Sequence, residues 1–237
     1  MLLILSPAKT FRKIVSINKS KSCRPRLLEQ TQNLIGVMKT FSPSKLEQLM
    51  KISEKLAILN FQRFIEWDLK HDDSNSFPAI LFFDGDVYRG FDAKTLTQKE
   101  IDTTKSKIRI LSGLYGLLRP FDKIQPYRLE MGININQNEI KKISTYWREP
   151  LTNLLNKDCD NRSLINLASS EYSSSVNFES LKQRIIHPIF KERTTNGYKI
   201  IGIHAKRARG LMARFIIKNN LEEPEGLRSF NLERYSF

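Results

Sequence analysis

Residues 110–132 read ILSGLYGLLRPFDKIQPYRLEMG. The segment opens as a buried strand, completing the apolar run IRIL at 108–111. It then changes character, with three glycines, Pro120, Pro126, Tyr115, Tyr127, Arg119, Arg128 and Glu130 in quick succession. Gly113 and Gly116 bracket Leu114 and Tyr115, a spacing that permits positive φ or close backbone approach. The prolines stiffen the excursion. Arg128 suits a carboxylate such as Glu130 or a phosphate, because a guanidinium fork matches either. The segment is therefore either a ligand-contacting loop or a scaffold pinned by its own ion pair.

The same transition recurs along the chain. Four more apolar runs read as buried strands: LLIL at 2–5, AILFF at 79–83, LINL at 164–167 and KIIGI at 199–203. Nearly continuous apolar runs are what strands covered on both faces show. Ser6 and Lys9 follow the first run; Asp84, Asp86, Tyr88 and Arg89 follow the second. Ser169, Glu171 and Tyr172 follow LINL, and His204, Lys206, Arg207 and Arg209 follow KIIGI. If the strands are mostly parallel, all five sets converge on one rim beyond their carboxyl ends, where open α/β sheets bind ligands.

Helical periodicity fills the intervals. It runs through Leu27, Leu28, Thr31, Leu34, Ile35 and Met38, and again from Leu46 to Ile65 with a break at Lys51–Ser53. Thr97 and Glu100 have capping-box spacing. A helix is expected from about Ala205, with Ala208, Leu211, Met212, Phe215 and Ile216 as its apolar stripe. Gly210 lies on another face, a glycine gap flanked by Lys206, Arg207 and Arg214. Loops are expected at 70–78 and 16–26. The resulting expectation is a mixed α/β (α+β) fold, one domain over 1–237, with a mixed central sheet surrounded by helices.

Composition narrows the function classes. The chain has 237 residues and 40% hydrophobic side chains, so it builds a globular core. No apolar run approaches the ~18 residues of a membrane span. The first apolar run is too short, and lacks the basic lead, of a signal peptide. Cys23 and Cys159 stand apart with no CxxC, which fits a reducing cytoplasm. Three histidines and two scattered cysteines argue against a transition-metal site, and no cofactor is expected. The net charge is +14; residues 1–70 carry 13 basic and 5 acidic side chains. A basic field of this kind is the footprint of a polyanion partner.

Two motifs offer specific chemistry. Asp84 and Asp86 flank Gly85; the Asp-Gly step is a turn signal, and Asp86 stays open as an acid, a base or a Mg²⁺ ligand. The segment LMKISEKLA at 49–57 has the apolar spacing of a helix-hairpin-helix module, with Lys51 and Ser53 at its two glycine positions. Ser53 is placed to cap the second helix. Lys45, Lys51, Lys55 and Arg63 surround it with cations.

LILSPAKT, FFDGDVYRGFDA, the 110–132 segment, NLASSEY and AKRARGLMARF together resemble the YaaA family of bacterial peroxide-stress proteins, over essentially the whole chain. The resemblance implies a cytoplasmic protein that helps cells survive hydrogen peroxide, with low free iron and less DNA damage. It also implies a helix-hairpin-helix element, here at about 44–66, and binding to DNA, which the basic charge extends to sequence-tolerant binding of double-stranded DNA. On this reading Lys45, Lys51, Ser53, Lys55 and Arg63 contact phosphates. Lys9, Arg128, Lys206, Arg207, Arg209 and Arg214 form a basic cleft. One rival is an enzyme acting on a nucleotide or nucleobase-like substrate, a phosphorylated small molecule, with Glu130, Glu171, Asp86 or Tyr115 as catalytic candidates. Another is iron sequestration by Asp86, Glu130 and Glu171. Phosphate readout alone needs only cations and amides, so the acids and tyrosines of the rim call for a further role.

Overall fold

A computed structural model describes residues 1–13, 22–195 and 197–237. The loop expected at 16–26 lies, up to residue 21, outside them.

The chain is a mixed α/β fold around a five-stranded sheet. Its strands are β1 (Leu2–Leu5), β2 (Ile108–Ser112), β3 (Gly116–Leu118), β4 (Leu164–Leu167) and β5 (Ile185–Ile186), in the order β5-β4-β1-β2-β3. β1 runs parallel to both its neighbours, and only β3 is antiparallel. All four side chains of β1 are fully buried. Successive strand residues point to opposite faces, so both faces at β1 are covered. Each such Leu or Ile contributes about 1.5–3 kcal/mol of burial.

The helices used below are α1 (Leu28–Met38), α2 (Pro43–Met50), α3 (Glu54–Glu66), α4 (Asp86–Phe91), α5 (Gln98–Lys107), α6 (Ile143–Cys159), α7 (Ser170–Ser173) and α8 (Gly202–Lys218). The Thr97–Glu100 capping box forms in full and starts α5. α2 and α3 are joined by Lys51–Ser53, with Lys51 in the left-handed region at φ 51.

Two expected core strands are not in the sheet. AILFF folds as one helical turn, Ala79–Phe82, followed by a two-residue strand, Phe83–Asp84, that pairs antiparallel with Thr10–Phe11. Pro78, fixed at φ −56 ahead of that turn, favours a helical start. KIIGI divides between the end of a small hairpin (Glu192–Thr194 with Gly197–Lys199) and the first residues of α8. Ile200 and Ile203 are 59% and 61% exposed, so this run is not a core segment.

Register places the site. Leu5 pairs with Leu167 on one side and Ile110 on the other. The chain therefore leaves β1, β4 and β2 at a common level, through Ser6, Ala168 and Leu111–Ser112 respectively.

Candidate functional site

Two cavities border the ends of β1 and β4 and share Lys9 and Glu171. One, of about 230 Å³, is lined by Ser6, Asp86, Tyr88, Tyr172, Lys206 and Arg209 among others. The other, of about 420 Å³, adds Lys51, Arg128, Glu130 and Asn134.

Local chemistry delivers each group. Ser6 Oγ donates to Ser169 Oγ at 3.2 Å and accepts from the Ser169 N–H at 2.9 Å, tying the two strand ends together. Lys9 follows from β1. Glu171 lies in the short helix α7 that begins three residues after β4. Asp86 opens α4, and Lys206 and Arg209 arrive on α8. α4 and α8 approach backbone to backbone: a Cβ on Gly210 would stand 2.0 Å from Val87 O. The glycine gap noted beside Lys206 and Arg207 is thus filled by α4 and packs helices; it is not open to a ligand.

The 110–132 segment is held by the same device. A Cβ on Gly113 would lie 2.0 Å from Leu129 O, so the returning chain rests directly on the end of β2. Trp147 Nε1 donates to Gly113 O at 2.8 Å, and the Ser112 and Tyr127 hydroxyls share a hydrogen bond of 2.6 Å. Glu130 is thereby presented at the cavity wall with a side chain only 8% exposed. Its Oε1 accepts from Arg128 Nε at 2.9 Å and faces Lys9 Nζ at 3.1 Å. Its Oε2 is buried without a hydrogen-bond partner. Glu171 is close by: a Cβ on Gly132 would lie 3.4 Å from its Oε1. Burial raises the Tyr88 and Tyr172 hydroxyls well above their usual value, so both are neutral.

Several candidates sit elsewhere. Tyr115 is fully buried; its hydroxyl accepts from Trp67 Nε1 at 3.0 Å and the Gln125 N–H at 3.1 Å. It is a core hub, not a rim residue, because Gly113 and Gly116 turn the chain inward between them. Arg214 donates to Phe91 O, Asp92 O and Thr95 Oγ1, closing the end of α4 rather than facing an anion. Arg207 pairs with Glu233 at 2.5 Å. Arg63 packs its guanidinium over the Phe11 ring at 5.6 Å. Asp84 ends a strand rather than forming a turn, and hydrogen bonds from Arg89 hold its carboxyl below the usual range, with Arg12 adding to the effect. Lys45 and Lys55 are exposed on α2 and α3. Ser53 occupies the N-cap position of α3, but its side chain makes no capping hydrogen bond. Among the described residues no three His, Cys, Asp or Glu side chains gather where a metal ion could be held, so Asp86, Glu130 and Glu171 do not form the carboxylate iron site.

The sequence missed one link. Lys51, assigned only to the hairpin, borders the same cavity as Lys9, Arg128 and Glu130. No local signal connects these residues; the contact exists only between the α2–α3 turn and the strand ends.

The family model described as "Peroxide stress protein YaaA" matches residues 1–237. The chain belongs to this family. Relatives match over the whole length of this chain. A UPF0246 protein of Paraburkholderia xenovorans is 44% identical over 242 residues, covering 100% of this chain and 93% of its own. UPF0246 proteins of Idiomarina loihiensis and Neisseria meningitidis serogroup A are 44% and 43% identical over 240 residues, with the same coverage. The YaaA family is thus one of peroxide stress proteins, and this member carries the cavity pair at its strand ends. No described helix is long and apolar enough to cross a membrane.

Proposed function

We propose that this protein acts in the cytoplasm in the peroxide response by binding double-stranded DNA without sequence preference, limiting iron-dependent damage by occupying the duplex. The helix-hairpin-helix reading of α2–α3 centres the contact. The observation that carries it is Lys51: the left-handed residue of the turn borders one cavity with Lys9 and Arg128, joining hairpin and rim into one basic surface. Left-handed geometry is what the module's glycine would otherwise supply. The first-turn N–H groups of α3 lack a side-chain cap and have Lys51 and Lys55 beside them, which suits a phosphate.

The +14 net charge provides the long-range attraction. Fluorescence anisotropy with unrelated duplexes across a salt series tests the reading. Similar affinities are expected, with log K falling linearly with log salt by about 0.9 per neutralised phosphate. Absence of binding at low salt, or binding indifferent to salt, overturns it.

A further inference from the structure

Glu130 poses a chemical problem that phosphate binding leaves unsolved. Its side chain is more than nine-tenths buried, yet Oε2 has no hydrogen-bond partner. A buried carboxylate oxygen without a donor is more unfavourable than an unpaired neutral group. Oε1 already meets two cations, Lys9 and Arg128. The cavity at Glu130 carries Lys9, Lys51 and Arg128 against Glu130 and Glu171, one positive charge in excess. A metal ion would add to that excess. A neutral N–H or O–H completes Oε2 without adding charge. The adjoining cavity sets Lys9, Lys206 and Arg209 against Asp84, Asp86 and Glu171; Arg12 and Arg89 already hold Asp84, which leaves one positive charge in excess for an anion beside the rings of Tyr88 and Tyr172. At about 420 Å³ the larger cavity falls in the roughly 300–1,000 Å³ range of small-molecule sites.

We propose that the paired cavities hold one nucleotide unit, its base edge donating an N–H to Glu130 Oε2 and its phosphate resting on Lys9, Lys206 and Arg209. A base supplies planar N–H donors, and the phosphate supplies the anion at the far end. The nucleotide arrives either free or turned out of a DNA stack; the second source rests on the DNA-binding reading above.

The test has two arms, each run on wild type, Glu130→Gln and Lys206→Ala. In the first, deoxynucleoside 5′-monophosphates are titrated calorimetrically. In the second, a duplex carrying 2-aminopurine opposite a mismatch is saturated with protein while anisotropy reports binding and 2-aminopurine fluorescence reports unstacking. The glutamine keeps its oxygen toward Lys9 and Arg128 and turns its amide N–H₂ into the Oε2 position, so donor meets donor. Either calorimetric binding or the fluorescence rise is expected in wild type, weakened about tenfold or more by Glu130→Gln. If Glu130→Gln does not fold, Lys206→Ala decides, since Lys206 is exposed and its loss removes a phosphate contact. Calorimetric binding identifies a free nucleotide; a fluorescence rise without it identifies an extruded one. Neither signal, or signals unchanged in the folded variants, overturns the proposal. Anisotropy in the second arm shows separately whether DNA binding survives.

Discussion

Gly113 and Leu129 are in backbone contact: there is no room for even a methyl group between the Gly113 Cα and the Leu129 carbonyl oxygen, where a Cβ would be 2.0 Å away. This contact seats the segment that carries Arg128 and Glu130. Gly113→Ala is expected to lower unfolding free energy by at least about 1–3 kcal/mol, because backbone must shift to admit the methyl. Gly36, exposed in α1 with nothing within 4 Å of its virtual Cβ, is the control. Gly36→Ala is expected to raise stability by about 0.5–1 kcal/mol. Urea denaturation of both variants checks the contrast.

Reversal of charge on the α2–α3 turn should act on DNA and not on folding. Lys51 and Lys55 are exposed, so Lys51→Glu with Lys55→Glu is expected to leave thermal unfolding nearly unchanged. The salt slope of duplex binding should fall by about 2, one for each lost phosphate contact. A folded double mutant with an unchanged slope places the DNA contact elsewhere.

The two thiols should differ sharply in reactivity. Cys23 is exposed, whereas Cys159 is buried and burial pushes its thiol up to about 11. Only the thiolate reacts. A disulfide-exchange reagent at neutral pH is expected to titrate one thiol in the native protein and two in denaturant.

Asp158 joins Arg26 and Arg109 in an ion cluster, at 2.7 Å and 2.5 Å. Burial alone would raise its carboxyl, but hydrogen bonds from Arg26 and Arg109 outweigh it and leave the group below the usual carboxylate range. A carboxyl depressed on folding adds stability that is present above its unfolded value and lost as pH falls through its folded one. Asp158→Asn is expected to lose about 2 kcal/mol at pH 7, since solvent still reaches part of the cluster. The variant should also show a shallower stability loss than wild type on acidification below about pH 4. Denaturant titrations at several pH values measure both.

Much of the framework was readable because its causes are local. LLIL, IRIL and LINL are nearly continuous apolar runs, broken only by Arg109 and Asn166, and each became a buried parallel strand. The break at Lys51–Ser53 marked the turn between α2 and α3, and Thr97 with Glu100 marked the start of α5. AILFF and KIIGI were misread because a short apolar run looks the same whether it pairs in a sheet or turns as a helix. Tyr115 was misread because a glycine-flanked tyrosine carries no mark of which way it points.

The amino-acid sequence alone determined the mixed α/β class, the strongly basic character and the family, since these depend on composition, short-range pattern and long motifs. Which charges are spent and which are available was decided only by tertiary packing. Arg214 and Arg207 resemble Lys206 and Arg209 in the chain, yet the first pair is taken up by the end of α4 and by Glu233, and the second pair lines a cavity. Lys9, Lys51, Glu130 and Glu171 meet because β1 and β4 are parallel and in register, and because Gly113 lets a distant segment lie against a strand end. Such meetings depend on distances between residues far apart in sequence, which no local propensity encodes.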